Sequence, residues 1–142
     1  MKKIVLLLVV CVSIINCSDK NDIDNIVIRE WNACTEKSNC NINFAYLMTF
    51  EWDTMCFYSA ANSLEDINRD LGFELKEFTD VGDRLIFLDK GRFVYQKEWF
   101  YDPNEPPEGI IFITDSKKFK TSRADAKFGI KKNGKIFYLE KR

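Results

Sequence analysis

Arg84-Leu85-Ile86-Phe87-Leu88-Asp89-Lys90-Gly91-Arg92-Phe93-Val94-Tyr95 decides the fold. Two runs rich in aliphatic and aromatic side chains flank a short connection that contains glycine, and that combination specifies a β-hairpin. The same signal recurs downstream. Ala126 to Lys132 and Lys135 to Glu140 flank Asn133-Gly134, the strongest short hairpin signal in the chain. Between the two hairpins, Gly109 precedes Ile110-Ile111-Phe112-Ile113, a buried-strand run. Asp102 to Gly109 holds Pro103, Pro106 and Pro107, all three prolines of the chain, and reads as a stiff loop.

Upstream of the hairpin the pattern changes. Ser63-Leu64-Glu65-Asp66 opens a helix: Ser63 is a good N-cap, two acids follow in the first turn, and Leu64, Ile67 and Leu71 share a face. Gly72 suits its C-terminal end. Ile23, Ile26, Val27, Trp31 and Cys34 recur at helical spacing and predict a first helix over about 22–33. Phe50 to Tyr58 is aromatic-rich and reads as a strand, with Phe50, Trp52, Cys56 and Tyr58 on one parity and Glu51, Asp53, Met55 and Phe57 on the other. Ile42 to Leu47 is a weaker candidate strand before it. Few helices and consecutive strands predict an α+β fold, a mainly antiparallel sheet packed with two short helices. One sheet face would be covered by the helices and the other partly open to solvent.

Composition bounds the chemistry. The chain has 142 residues, enough for one domain. Lys+Arg 21 against Asp+Glu 22 leaves a net charge of −1, so no basic excess argues for nucleic acid. Histidine is absent, which removes Ser-His-Asp and Cys-His catalysis and His-ligated zinc. No phosphate-cradling glycine loop and no GxSxG, HExxH or SxxK pattern occurs. No cofactor, no metal and no catalytic residue is expected, and the chain does not read as an enzyme.

The N-terminus reads as an export signal. Lys2 and Lys3 precede an apolar run from Ile4 to Ile15, too short for a membrane span of about 20 residues. Ile14-Ile15-Asn16-Cys17 resembles the lipobox of bacterial lipoproteins, with Asn16 where a smaller residue is usual. The resemblance implies cleavage before Cys17 and lipid on Cys17. The expected layout is a lipoprotein signal peptide at 1–16, a tether at 17–22 and a single globular α+β domain at 23–142. An ordinary signal peptide with an incidental cysteine is the alternative. A second resemblance spans most of residues 40–140. Thr49-Phe50-Glu51-Trp52-Asp53-Thr54-Met55-Cys56-Phe57-Tyr58, then Ser63 to Asn68 and Leu71-Gly72-Phe73, is similar to a group of small bacterial exported proteins and lipoproteins. That group shares an FxWD strand, a capped helix ending in LG and a following hairpin. It implies a shared fold and an exported location, and no activity.

Three cysteines remain after Cys17. Cys34 and Cys40 flank a polar five-residue spacer and form a candidate disulfide in an oxidising compartment, whereas Cys56, in an apolar run, reads as a buried free thiol. A three-thiolate metal site would lack the paired CxxC spacing of zinc sites. Glu51 and Asp53, two apart on a strand, are the one carboxylate pair set among aromatics; solvent-facing acids are the plainer reading. Trp52, Trp99, Phe100 and Tyr101 are candidates for an aromatic binding surface, against the alternative that they fill the core. The lysines and arginines from Lys117 onward make the last quarter basic, as edge-protecting charges or as a face for anionic headgroups or an acidic partner.

These readings converge on an envelope lipoprotein held by lipid on Cys17 to a bacterial membrane, the outer ahead of the inner. Its expected role is a protein-interaction module: an inhibitor, an immunity protein or an assembly accessory. The alternative is a glycan- or peptide-binding lipoprotein.

Overall fold

The computed structural model describes residues 20–142. The signal segment, Cys17 and the first residues of the tether lie outside the described residues. The chain forms an α+β fold with two α-helices and a mainly antiparallel arrangement of strands: α1 (Ile23–Ala33), β1 (Asn41–Asn43), β2 (Thr54–Tyr58), α2 (Leu64–Leu71), β3 (Gly82–Asp89), β4 (Arg92–Phe100), β5 (Gly109–Ile113), β6 (Lys118–Ser122), β7 (Lys127–Asn133) and β8 (Ile136–Lys141).

The strands divide into two sheets of four, where a single sheet was expected. One runs β1-β7-β8-β5 and the other β4-β3-β2-β6. Both hairpins are present, β3–β4 and β7–β8. The turn at Lys90-Gly91 places both residues at positive φ, 51° and 73°, the conformation that matches a two-residue connection to the strand twist. Among the described residues, only β5 and β8 pair in parallel. The chain reaches β5 through the proline loop from the other sheet, so no hairpin turn dictates its direction.

The two sheets share an aromatic core. Phe57 of β2 lies 5.1 Å from Phe112 of β5 and 5.3 Å from Phe119 of β6, and Phe128 of β7 meets Phe112 at 5.5 Å. Such ring pairs add about 0.5–1.5 kcal/mol each beyond the area they bury. Helix α1 sends Ile23, Ile26 and Val27 into this cluster and sets Trp31 edge-on to Phe137 at 6.2 Å. On the opposite face of β2 and β3, α2 lays Ile67 and Leu71, followed by Leu75, over Cys56, Tyr58, Ile86 and Leu88. Both faces of the β2–β3 pair are therefore covered. That is why their sequences read as unbroken apolar runs. Ser63 caps α2, accepting from the Asp66 amide at 3.1 Å, and Gly72 ends it.

Three strand expectations need correction. The strand expected over 50–58 begins only at Thr54. Trp52, on the irregular approach, joins Met55 and Phe57 in the aromatic core, not Cys56 and Tyr58 under α2. Parity fails because alternation holds only within a continuous strand. Ile42 to Leu47 is half strand, β1, and half a 3₁₀ turn at Phe44–Tyr46. Strand β6 was not anticipated: Lys118-Phe119-Lys120-Thr121-Ser122 carries one large apolar residue, enough for an edge strand with one face inward.

Arg84 is a buried charge between the sheet and the segment that follows α2. Its guanidinium pairs with Glu98 at 3.2 Å, donates to the Thr79 carbonyl and stacks on Phe78 at 4.0 Å. Burial pulls its pKa down and Glu98 opposes that shift.

Candidate functional site

The end of β4 sorts its aromatics by alternation. Trp99 points inward, is 7% exposed, and donates from Nε1 to Asp24 of α1 at 2.8 Å. Its ring meets Phe112 at 6.0 Å. Phe100 points outward and is 52% exposed. Its ring lies over Gly82 of β3: a Cβ built on Gly82 would fall 2.8 Å from a ring carbon, so only glycine leaves this room.

Tyr101 then turns the chain into the proline loop. It is 38% exposed, and its hydroxyl donates to the Ile110 carbonyl at 2.7 Å. Burial raises the phenol's pKa, so the proton stays on and the hydroxyl remains a donor. This bond joins the two ends of the loop. The loop is held further by the Gly109 amide donating to the Lys135 carbonyl at 3.3 Å and by a Glu108–Lys135 ion pair at 3.2 Å. Asp102 closes a local turn by accepting from the Asn104 amide at 2.8 Å.

Two clefts meet at Phe100. One, about 390 Å³, lies between α1 and β8 and is lined by Ile28, Trp99, Phe100, Ile110 and Phe137 with Asp24. The other, about 530 Å³, lies under the loop and is lined by Phe100, Tyr101, Pro106 and Pro107 with Asp102 and Glu105. Glu108 and Lys135 border both. Ile28, at 41% exposure, extends the apolar surface onto α1. The result is an aromatic and proline shelf edged by carboxylates. It can seat an apolar side chain or a ring and offer acceptors to the donors beside it. It holds no nucleophile–base pair.

The other candidates fall elsewhere. Trp52 is 2% exposed and packs against Phe87 at 4.9 Å, so it is a core residue and not part of the aromatic surface. Trp99 forms the floor of the shelf, and Phe100 and Tyr101 its exposed part. Glu51 and Asp53 take separate partners. Glu51 reaches Arg123 at 3.0 Å. Asp53 accepts from the Lys90 amide in the β3–β4 turn at 2.7 Å and from the Thr54 hydroxyl at 2.7 Å. Those bonds, the Thr54 hydroxyl foremost, lower its pKa. The C-terminal cations are partly paired: Lys118 with Asp70, Lys131 with Glu140, Lys135 with Glu108.

Cys34, Cys40 and Cys56 are free thiols in this structure. Cys56 is buried, and desolvation pushes its pKa to about 11. A third groove, about 520 Å³, lies on the α2 side of β4 against Phe73, Leu75, Phe93 and Gln96. Its surface is mostly apolar, and Glu74, Lys76 and Glu77 line it beside Gln96.

Sequence reasoning missed Gly82, Ile28 and Lys135 as parts of the shelf. A lone glycine before a strand carries no signal of the ring above it. Ile28 stands out of the apolar stripe of α1, a mark visible in the periodicity. Comparison with known proteins found no match among family models, curated proteins or solved structures.

Proposed function

We propose that the chain is a lipid-anchored protein of the bacterial envelope that binds a protein partner through the Phe100–Tyr101 shelf and performs no catalysis. The observation that supports this is the shelf itself. An exposed aromatic pair stands where β4 runs into a braced loop, and aromatic residues are among those that dominate protein interfaces. The bracing matters because a loop already ordered loses little freedom on binding. The carboxylates on its rim favour a partner segment that presents an apolar side chain beside lysine or arginine. The anchor rests on the export signal and on Ile14-Ile15-Asn16-Cys17. Lipid of two or more chains at Cys17 would hold the domain stably at the membrane. Confinement there raises the effective concentration of a membrane partner.

A second reading has its own support. Ring faces beside Asp102 and Glu105 in the 530 Å³ cleft are also the chemistry of a sugar site. The two readings separate in one assay. Full-length protein, extracted in detergent, is incubated with envelope extract with and without soluble envelope glycan fragments. A protein partner retained by the wild type and by Phe93→Ala, lost from Phe100→Ala and unaffected by glycan supports the first reading. Saturable binding of the glycan itself, also lost from Phe100→Ala, supports the second. Equal retention by all three proteins contradicts both. The anchor is checked separately: a fatty-acid analogue should label the wild type and not Cys17→Ala.

A further inference from the structure

We infer that Cys34 and Cys40 form a directional disulfide site, with Cys34 as the attacking thiol and Cys40 as the resolving one. The geometry carries this. Cys34 is the C-terminal cap of α1, its amide donating to the Glu30 carbonyl at 3.1 Å and the Trp31 carbonyl at 3.2 Å. Cys40 stands at the entry to β1, and its Sγ reaches the same Glu30 carbonyl at 4.0 Å. Both residues thus converge on one carbonyl at the end of α1, with the Cys34 thiol near enough to raise the pKa of the Cys40 thiol. The five-residue turn between them, including Lys37–Asn39 in 3₁₀ form, brings the chain back on itself.

Exposure sets the order. Cys34 is half-buried and its Sγ contacts the Glu36 carbonyl at 3.4 Å on the surface, whereas Cys40 is buried. Desolvation first, and then the Cys34 thiol, push the Cys40 pKa up to about 11. A buried, protonated thiol is a poor first nucleophile. The charge of Lys37 opposes that rise at Cys40 but is outweighed by burial and by Cys34.

The oxidant is a disulfide of the thiol–disulfide exchange class. Cys34 thiolate attacks one sulfur of that disulfide, forming a mixed disulfide and releasing the other sulfur as a thiolate. Cys40, deprotonated as it reacts, attacks the Cys34 sulfur, forming the Cys34–Cys40 bond and releasing the second thiolate. Two electrons and two protons pass from the protein dithiol to the oxidant, which leaves as two thiols. The bridge pins the end of α1 to β1 and closes a short loop. Cys56 takes no part, because it lies in the other cluster, beneath α2. In the cell the oxidant depends on export, but the test uses purified protein and stands or falls apart from the proposed function.

The full-length chain is reduced, then equilibrated in oxidised glutathione, and free thiols are alkylated. Cleavage after Lys37 separates Cys34 from Cys40, and cleavage after Phe44 separates Cys40 from Cys56. The expected product joins the Cys34 and Cys40 peptides, lighter by two hydrogens, with Cys56 alkylated. Its melting temperature should exceed that of the reduced protein by about 5–10 °C, as expected for closing a short loop. Cys40→Ala should trap glutathione on Cys34, and Cys34→Ala should leave Cys40 unmodified under the same conditions. Alkylation of both cysteines in the oxidised sample, or a bridge from either to another cysteine, overturns the site. Equal trapping in the two variants overturns the order of attack.

Discussion

The Trp52 corner and the Phe100 corner looked alike in sequence and differ in the structure. Around Trp52, Phe87 meets both Trp52 and Phe50 edge-on, Phe50 stacks on Tyr95, and the guanidinium of Arg123 covers the indole at 5.7 Å. Around Phe100, one face of the ring rests on Gly82 and the other is open. Both corners hold aromatic residues beside acids. What separates them is coverage. The strand after Trp52 passes between a second sheet and a helix, whereas β4 is an edge strand whose end is followed by a loop. The first corner is built for folding and the second for contact.

Mutation should split the two corners. Trp52→Ala removes a fully packed ring and should cost about 3–5 kcal/mol, read as a lowered urea midpoint. A loss under 1 kcal/mol would mean the corner collapses around the gap, or that the ring is not packed as described. Asp24→Ala leaves the Trp99 indole N–H buried without its acceptor and removes one of two carboxylates from Lys97. It should cost about 1–3 kcal/mol. It should also loosen the floor of the shelf, seen as faster amide exchange in β4. Ser63→Ala, remote from both corners, should cost about 1 kcal/mol and leave any partner binding unchanged. Phe100→Ala should change stability by no more than about 0.5 kcal/mol, because the ring is half exposed. A larger loss would move Phe100 into the folding set and erase the distinction between the corners.

Acid should weaken the α2 side. Asp70 accepts from the Tyr58 hydroxyl at 2.6 Å and pairs with Lys118 at 3.3 Å, and the Tyr58 bond is the main reason its pKa is lowered from 3.8. The unfolded chain therefore binds a proton there more readily than the folded one. That contribution is complete above pH 3.8 and is lost as pH falls through the lower folded value. Asp70→Asn should flatten this part of the acid limb in a pH series of urea midpoints. An unchanged limb would assign it to other carboxylates.

Much of the fold was legible because local signals agreed. Lys90-Gly91 and Asn133-Gly134 named both hairpins, and Ser63 with Gly72 bounded α2. The division into two sheets was not legible, since it depends on where the proline loop carries the chain. Nor was β6, whose lysines mask a single inward Phe119. At the site, Trp99, Phe100 and Tyr101 were named together with Trp52, since composition does not show which ring another element will cover. Gly82 was silent for the same reason: its role exists only once Phe100 lies across it.

The central claim is that the Phe100 face, and not another apolar surface, meets a protein. A photoreactive amino acid placed at position 100 in the full-length chain tests it in cells, with position 93 in the other groove as the comparison. The account predicts a discrete protein adduct from position 100 that disappears with Tyr101→Ser and is absent from position 93. The same adducts from both positions, or none from position 100 in folded protein, would contradict it.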